Sequence, residues 1–291
     1  MTQVCILLGI LFLVSGGLAH RWDHTHQHEW PEICLKGKRQ SPIDLNPKLA
    51  VEQQSFEKFH FSDYSTDQKA FVKNTGHSVE LRTDNTPKVW GGGLPKEYTF
   101  DHLHFHWQSE HTLKGYRYPL EVHLVHYATE YKNLINALNY GDGIAVLGVF
   151  YDLSPDDDPE FEPLAKVIEH VENNHNSFHL NEPIQLRSFL PRDVAGFYRY
   201  EGSLTTPNCT EAVIWTMFTN TIPISLDQVK RFEAIGTGSG KLKVNYRTVK
   251  DIGKRKLYHK ISPMPHNHSS KLKHVQMLTV IAVFFSLRIL L

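Results

Sequence analysis

The sequence predicts a mixed α/β, β-dominated domain built on one large, twisted, mostly antiparallel central sheet with helices at its periphery. Three observations predict it. Apolar and polar residues alternate with period two at Ser78–Arg82, Tyr98–Trp107, Glu121–Tyr127, Ile144–Tyr151 and Val213–Phe218, the signature of half-buried strands. Only two stretches carry a helical stripe. Asp158–Val171 places Phe161, Leu164, Ile168 and Val171 on one side, and Ser225 opens a second helix with Gln228 three residues on, a capping box, and Gly236 at its end. Between the two chain ends there is no internal repeat and no Ser/Gly-rich linker, so about 245 residues form one domain with a sizeable core.

Both ends read as processing signals. Val4 to Val14 is an apolar run too short to span a bilayer, and Gly17 and Ala19 fit a signal-peptidase site, so residues 1–19 are expected to be a signal peptide. The domain is expected over 20–262. From 263 to 291 a polar spacer leads to the apolar Met277–Leu291. Asn267, Ser269 and Ser270 are candidate acceptors of a lipid (GPI) anchor replacing that tail, with a single-pass tail anchor or plain secretion as the alternatives. The expected location is the extracellular face of the plasma membrane. Cys5 leaves with the leader, and the remaining pair, Cys34 and Cys209, either bridges a loop of about 175 residues or stays as two buried thiols; export favours the bridge. Asn208 and Asn267 stand in glycosylation sequons.

Composition excludes one function class and suggests another. Lys plus Arg and Asp plus Glu both number 31, which leaves no basic excess for nucleic acid. Histidine, at 19, is the unusual count, and imidazole is both a common metal ligand and the side chain that titrates near neutrality. In Asp101-His102-Leu103-His104-Phe105-His106-Trp107 the strand period puts the three histidines on one side and Leu103, Phe105 and Trp107 on the other. Leu120–His126 places His123 on a face with Glu121 and Val125. If the two strands are neighbours, two imidazoles from one and one from the other make a three-nitrogen site. Such a set leaves the fourth tetrahedral position of Zn2+ open, which marks catalytic rather than structural zinc.

These segments, with Ser109-Glu110-His111-Thr112, Ser203-Leu204-Thr205-Thr206-Pro207, Gln40-Ser41-Pro42-Ile43-Asp44, Asn74-Thr75-Gly76-His77, Ala145-Val146-Leu147-Gly148 and Asn245-Tyr246-Arg247, resemble the α-class carbonic anhydrases, in particular their secreted and membrane-anchored members. The resemblance runs from about Trp22 to Arg255. It implies the α-carbonic anhydrase fold and a zinc lyase that hydrates carbon dioxide to bicarbonate and a proton by attack of zinc-bound hydroxide. On that likeness His104, His106 and His123 hold Zn2+, with Glu121, His102 and Asn245 behind them. Thr205 orients the nucleophile and passes its proton to Glu110; His77 shuttles the proton out. Val125, Val146, Leu204, Thr205, Thr206 and Trp215 face the substrate, and the Cys34–Cys209 bridge matches the family's disulfide. The competing reading is a carbonic anhydrase-like extracellular binding or adhesion module, although members of that kind lose zinc histidines that this chain keeps.

The chain also departs from the family pattern. His102 replaces the usual Gln, Glu80 and Arg82 stand where an amide and an acid are common, and Trp22-Asp23-His24 replaces Trp-Gly-Tyr, so the resemblance implies that His24 stands at the Tyr that orders cleft water. The arm with His20, His24, His26 and His28 is expected to be polar and flexible, with altered proton transfer or a surface metal as the alternatives.

Overall fold

The computed structural model describes residues 22–171, 177–237 and 240–263. The expected signal peptide and the anchor candidates Asn267, Ser269 and Ser270 lie outside these residues. Among the described residues, no helix is long and apolar enough to cross a membrane.

The architecture is the expected one, a large mixed sheet with few helices, and 13 strands join the main sheet among the described residues. At its centre the strands Val79–Thr83, Tyr98–Trp107, Leu120–Ala128, Ile144–Ser154, Val213–Phe218 and Phe197–Gly202 lie side by side in that order. Most pairings are antiparallel, while Ile144–Gly148 runs parallel to Val213–Met217. The period-two pattern sorts the 98–107 strand between two environments. Leu103, Phe105 and Trp107 are buried in the main apolar core, and Phe105 meets Phe161 and Phe232 of the helical layer at ring-centroid distances of 5.8 and 5.1 Å. Val125, Val146, Tyr200 and Trp215 belong to a second apolar cluster.

Two helix expectations need correction. The first helix spans Glu162–Val171, not Asp158–Val171. Pro163 suits a first helical turn, where an N–H has no acceptor to lose, and the backbone of Asp158 is taken by Gln228, whose Oε1 accepts from its N–H and whose Nε2 donates to its carbonyl, both at 2.9 Å. The predicted stripe of Phe161, Leu164, Ile168 and Val171 is buried nonetheless. The second helix, Leu226–Glu233, carries the capping box as expected, Ser225 Oγ accepting from Gln228 N at 3.1 Å. Gly236 does not end it. The helix stops at Ala234, and Gly236 begins a short strand while its carbonyl accepts from Asn74 Nδ2 at 2.8 Å.

Cys34 and Cys209 form a disulfide, with Cα atoms 5.2 Å apart and a separation of 175 in sequence. Such a bond belongs to oxidising compartments and fits a protein outside the cell. It packs with Trp30 and Trp22 in a small satellite core.

Candidate metal centre and cleft

Strand register builds the site. In the antiparallel pair formed by residues 98–107 and 120–128, His104 lies opposite His123 and Glu121 opposite His106. The three histidines named from sequence therefore meet across one ladder, and their candidate ligand atoms all lie within 4.8 Å of one another.

Each imidazole spends one nitrogen on the protein and turns the other inward. His104 Nδ1 faces His102 Nε2 at 3.1 Å, His106 Nδ1 donates to the Asn245 carbonyl at 2.5 Å, and His123 Nε2 bonds Glu121 Oε1 at 2.5 Å. The remaining nitrogens converge: His104 Nε2 and His123 Nδ1 are 3.3 Å apart, and His106 Nε2 is buried without a hydrogen-bond partner. Partners on the outer nitrogen fix ring orientation and tautomer, the arrangement expected behind metal-bound histidines. Burial, together with the neighbouring His106, His123 and His102, holds the His104 pKa well below the ordinary value, and burial also lowers that of His123. Neutral rings keep the lone pairs a cation needs. An all-imidazole donor set with an orphaned, inward-facing nitrogen fits zinc.

Glu121 is fully buried and binds more than the ring of His123. Its Oε1 also accepts from His111 Nδ1 at 2.8 Å, and its Oε2 accepts from the His111 backbone N–H at 2.9 Å. His111 Nε2 in turn meets the Tyr200 hydroxyl at 2.7 Å, which bonds Ser41 Oγ at 2.9 Å. Burial opposes the Glu121 charge, but the contacts with His111 and His123 prevail and depress its pKa. Sequence reasoning gave His111 and Tyr200 no role. No local spacing marks them, because these partners lie ten and 89 residues apart in the chain.

Glu110 is also fully buried. Its Oε1 accepts from the Arg247 backbone N–H at 2.8 Å, while its Oε2, 3.5 Å from His106 Nε2, has no hydrogen-bond partner. The expected Thr205-to-Glu110 hydrogen bond is therefore not made in this conformation, although both residues are in place around the same histidines. Asn245, whose carbonyl holds His106, also ties Trp107 N (3.0 Å) to the Phe105 carbonyl (2.8 Å) through its side chain.

The histidines open into a cavity of about 220 Å³. One wall is apolar, made by Val125, Val146, Leu204 and Trp215; Thr205, Thr206, His77 and His102 complete the lining. Every substrate-facing residue named from sequence is thus in this cavity. His24 corrects the picture of a flexible polar arm. It is 3% exposed and lines the same cavity, with neither ring nitrogen hydrogen-bonded. Burial first, then the nearby His106 and His77, push its pKa down to about 3, so it is a neutral wall residue. His26 and His28 are exposed.

Comparison with known proteins points to one class of fold and site, the eukaryotic-type carbonic anhydrases, whose family profile matches residues 20–261. Among similar proteins, mouse carbonic anhydrase 15 is 34% identical over 78% of this chain and 78% of its own length. Rabbit carbonic anhydrase 4 is 34% identical over 71% of this chain and 69% of its own, and human carbonic anhydrase 6 is 32% identical over 79% and 80%. The chain belongs to the carbonic anhydrase family.

Proposed function

We propose that this protein is a zinc-dependent carbonic anhydrase that interconverts carbon dioxide and bicarbonate at the outer surface of the cell. The observation that carries the reading is the convergence of His104 Nε2, His106 Nε2 and His123 Nδ1, each ring tied back through its other nitrogen. Zinc bound there supplies the Lewis acidity that makes hydroxide available near neutral pH, a general property of such sites, this family's included.

The side chains do the rest. Val125, Val146, Leu204 and Trp215 offer carbon dioxide, a small molecule without net charge or dipole, an apolar surface beside the three histidines. The Glu110 carboxylate, held through Oε1 by Arg247 N–H, keeps Oε2 as an acceptor for the Thr205 hydroxyl. With its proton committed to Glu110, the Thr205 oxygen can only accept, so it orients the attacking oxygen with its lone pair toward carbon. Water and carbon dioxide yield bicarbonate and one proton. That proton leaves through water to His77, at the same cavity, and from there to solvent.

The Cys34–Cys209 bond and the exposed Asn208 sequon support an extracellular setting, and the sequence after residue 263 supports a lipid anchor through Asn267, Ser269 or Ser270. Stopped-flow hydration of carbon dioxide tests the catalytic reading: activity is lost on chelation and returns with stoichiometric zinc. Absence of hydration by fully zinc-loaded protein would favour a binding module. Release of activity from intact cells by a phosphatidylinositol-specific phospholipase tests the anchor.

A further inference from the structure

Three departures from the family pattern, Glu80, Arg82 and His102, form one hydrogen-bonded unit through a residue that sequence reasoning did not single out, Asp101. Arg82 Nε donates to Glu80 Oε1 at 2.7 Å and Arg82 Nη1 to Asp101 Oδ2 at 3.0 Å. The same Asp101 oxygen lies 2.7 Å from His102 Nδ1, and His102 Nε2 lies 3.1 Å from His104 Nδ1. The chain Arg82–Asp101–His102–His104 ends on the candidate metal site.

An imidazole next to His104 raises a problem that an amide does not. The carbonyl oxygen of a Gln side chain is always an acceptor. His102 Nε2 accepts only in the tautomer that carries its proton on Nδ1. In the other tautomer an N–H points at His104 Nδ1. His104 must then hold its own proton on Nε2, the nitrogen that faces His106 and His123, and it loses the lone pair a metal requires. Asp101 removes that choice. An ionised carboxylate has acceptors only, so at 2.7 Å from His102 Nδ1 it admits the Nδ1–H form. Burial opposes the charge on Asp101, but the bond to His102 and the Arg82 guanidinium hold its pKa below the usual carboxylate value. Asp101 is 15% and Arg82 37% exposed, so the pair is partly shielded from solvent.

We propose that Asp101 is a positioning residue for zinc binding, acting through His102 to fix the tautomer of His104, so that the metal-binding nitrogen of this chain is set from two residues away rather than by one amide. The proposal rests on His104 being a zinc ligand.

Asp101→Asn keeps the shape while allowing either face of the amide toward Nδ1, the substitution that lets a wrong tautomer in. His102→Gln removes the need for a lock. The experiment is transfer of zinc from the full-length protein, produced through a secretory host and purified in detergent, to a chromogenic chelator at fixed pH. Asp101→Asn is expected to speed zinc loss about tenfold, the lower end of what outer partners of metal ligands contribute. In the His102→Gln background the same change is expected to alter the rate by less than about twofold. Arg82→Gln, on a partly exposed side chain, is expected to act in the same direction with a smaller effect that His102→Gln also abolishes, which keeps the test open if Asp101→Asn folds poorly. An unchanged rate in Asp101→Asn, or an equal acceleration with and without His102→Gln, would overturn the proposal, the second by assigning Asp101 a purely structural role. Wild-type protein that binds no zinc would instead overturn the ligand assignment on which the proposal stands.

Discussion

The indole of Trp22 lies face to face with the imidazole of His77, the ring centroids 3.7 Å apart and the planes 10° from parallel. His77 follows Gly76, whose φ of +81° makes the tight turn after the strand Ala70–Asn74, and Trp22 comes from the start of the described chain. Two remote segments thus clasp one side chain at the cavity that holds the three histidines. If His77 carries the proton out, His77→Ala lowers kcat in weak buffer about tenfold or more while kcat/KM, which does not report that step, changes little, and added imidazole restores the rate. Trp22→Ala gives an intermediate value of kcat. A fall in kcat/KM as large as that in kcat would instead place His77 in the chemical step.

Thr205 and Glu110 are expected to act on chemistry rather than on metal binding. Thr205→Ala is predicted to reduce kcat/KM by about a hundredfold, the scale of losing one oriented polar group at the reacting atoms. Zinc content should be unchanged. Glu110→Gln should show a loss of the same order, and the double variant little more than either single one, since the two residues work as a unit. Stopped-flow kinetics and metal analysis on the same samples check this.

The buried pair Tyr64–His126 predicts a pH dependence of stability away from the metal site. His126 Nδ1 donates to the Ala145 carbonyl at 3.2 Å and its Nε2 accepts from the Tyr64 hydroxyl at 2.5 Å, so the ring is neutral. Burial pushes its pKa from 6.5 down to about 4. The unfolded chain then binds a proton that the folded chain does not, so this stability is present above pH 6.5 and is lost as pH falls toward about 4. The loss amounts to about 3 kcal/mol over that window. Denaturant midpoints at pH 7 and pH 4.5 should differ less in His126→Gln than in the wild type. Equal pH slopes in the two proteins would contradict the assignment.

The disulfide ties the helix Glu32–Lys36 to the turn that carries Thr205. Leu204 N bonds the Thr210 carbonyl at 3.0 Å, and Cys209 N the Thr206 carbonyl at 2.7 Å, so Cys209 closes that turn. Replacing both cysteines by serine is predicted to cost about 2–5 kcal/mol of stability. Activity should fall as well, because the turn positions the hydroxyl of Thr205. Thermal melting with and without reductant tests the first part, and kinetics below the melting range the second.

Much of this site was legible before any coordinates. Period two alone put His102, His104 and His106 on one side of a strand, because side-chain direction in a strand depends on position parity. Pairing with the strand of His123 was a supposition that the ladder bears out. Helix bounds were less legible: the start at Glu162 depends on Gln228 capturing the Asp158 backbone from another helix, and Gly236 is committed to Asn74 rather than to a cap. The family match put His24 at the cleft, but its burial was hidden by the polar arm around it, for a similar reason. Its neighbours in sequence are polar, but Trp22 and Trp30 enclose it in space, with ring centroids 5.2 and 5.9 Å away. The outer network of His111, Tyr200 and Asp101 was silent because each link joins ordinary residues and has meaning only once the sheet register is known.

The most direct measurement of the central claim is stopped-flow hydration of carbon dioxide by the wild-type protein and by His106→Ala, with zinc quantified in the same samples. Three converging imidazoles predict one zinc per chain and rapid hydration in the wild type, and loss of both in the variant. Full activity in His106→Ala, or a wild type that holds one zinc and leaves carbon dioxide unhydrated, would contradict it.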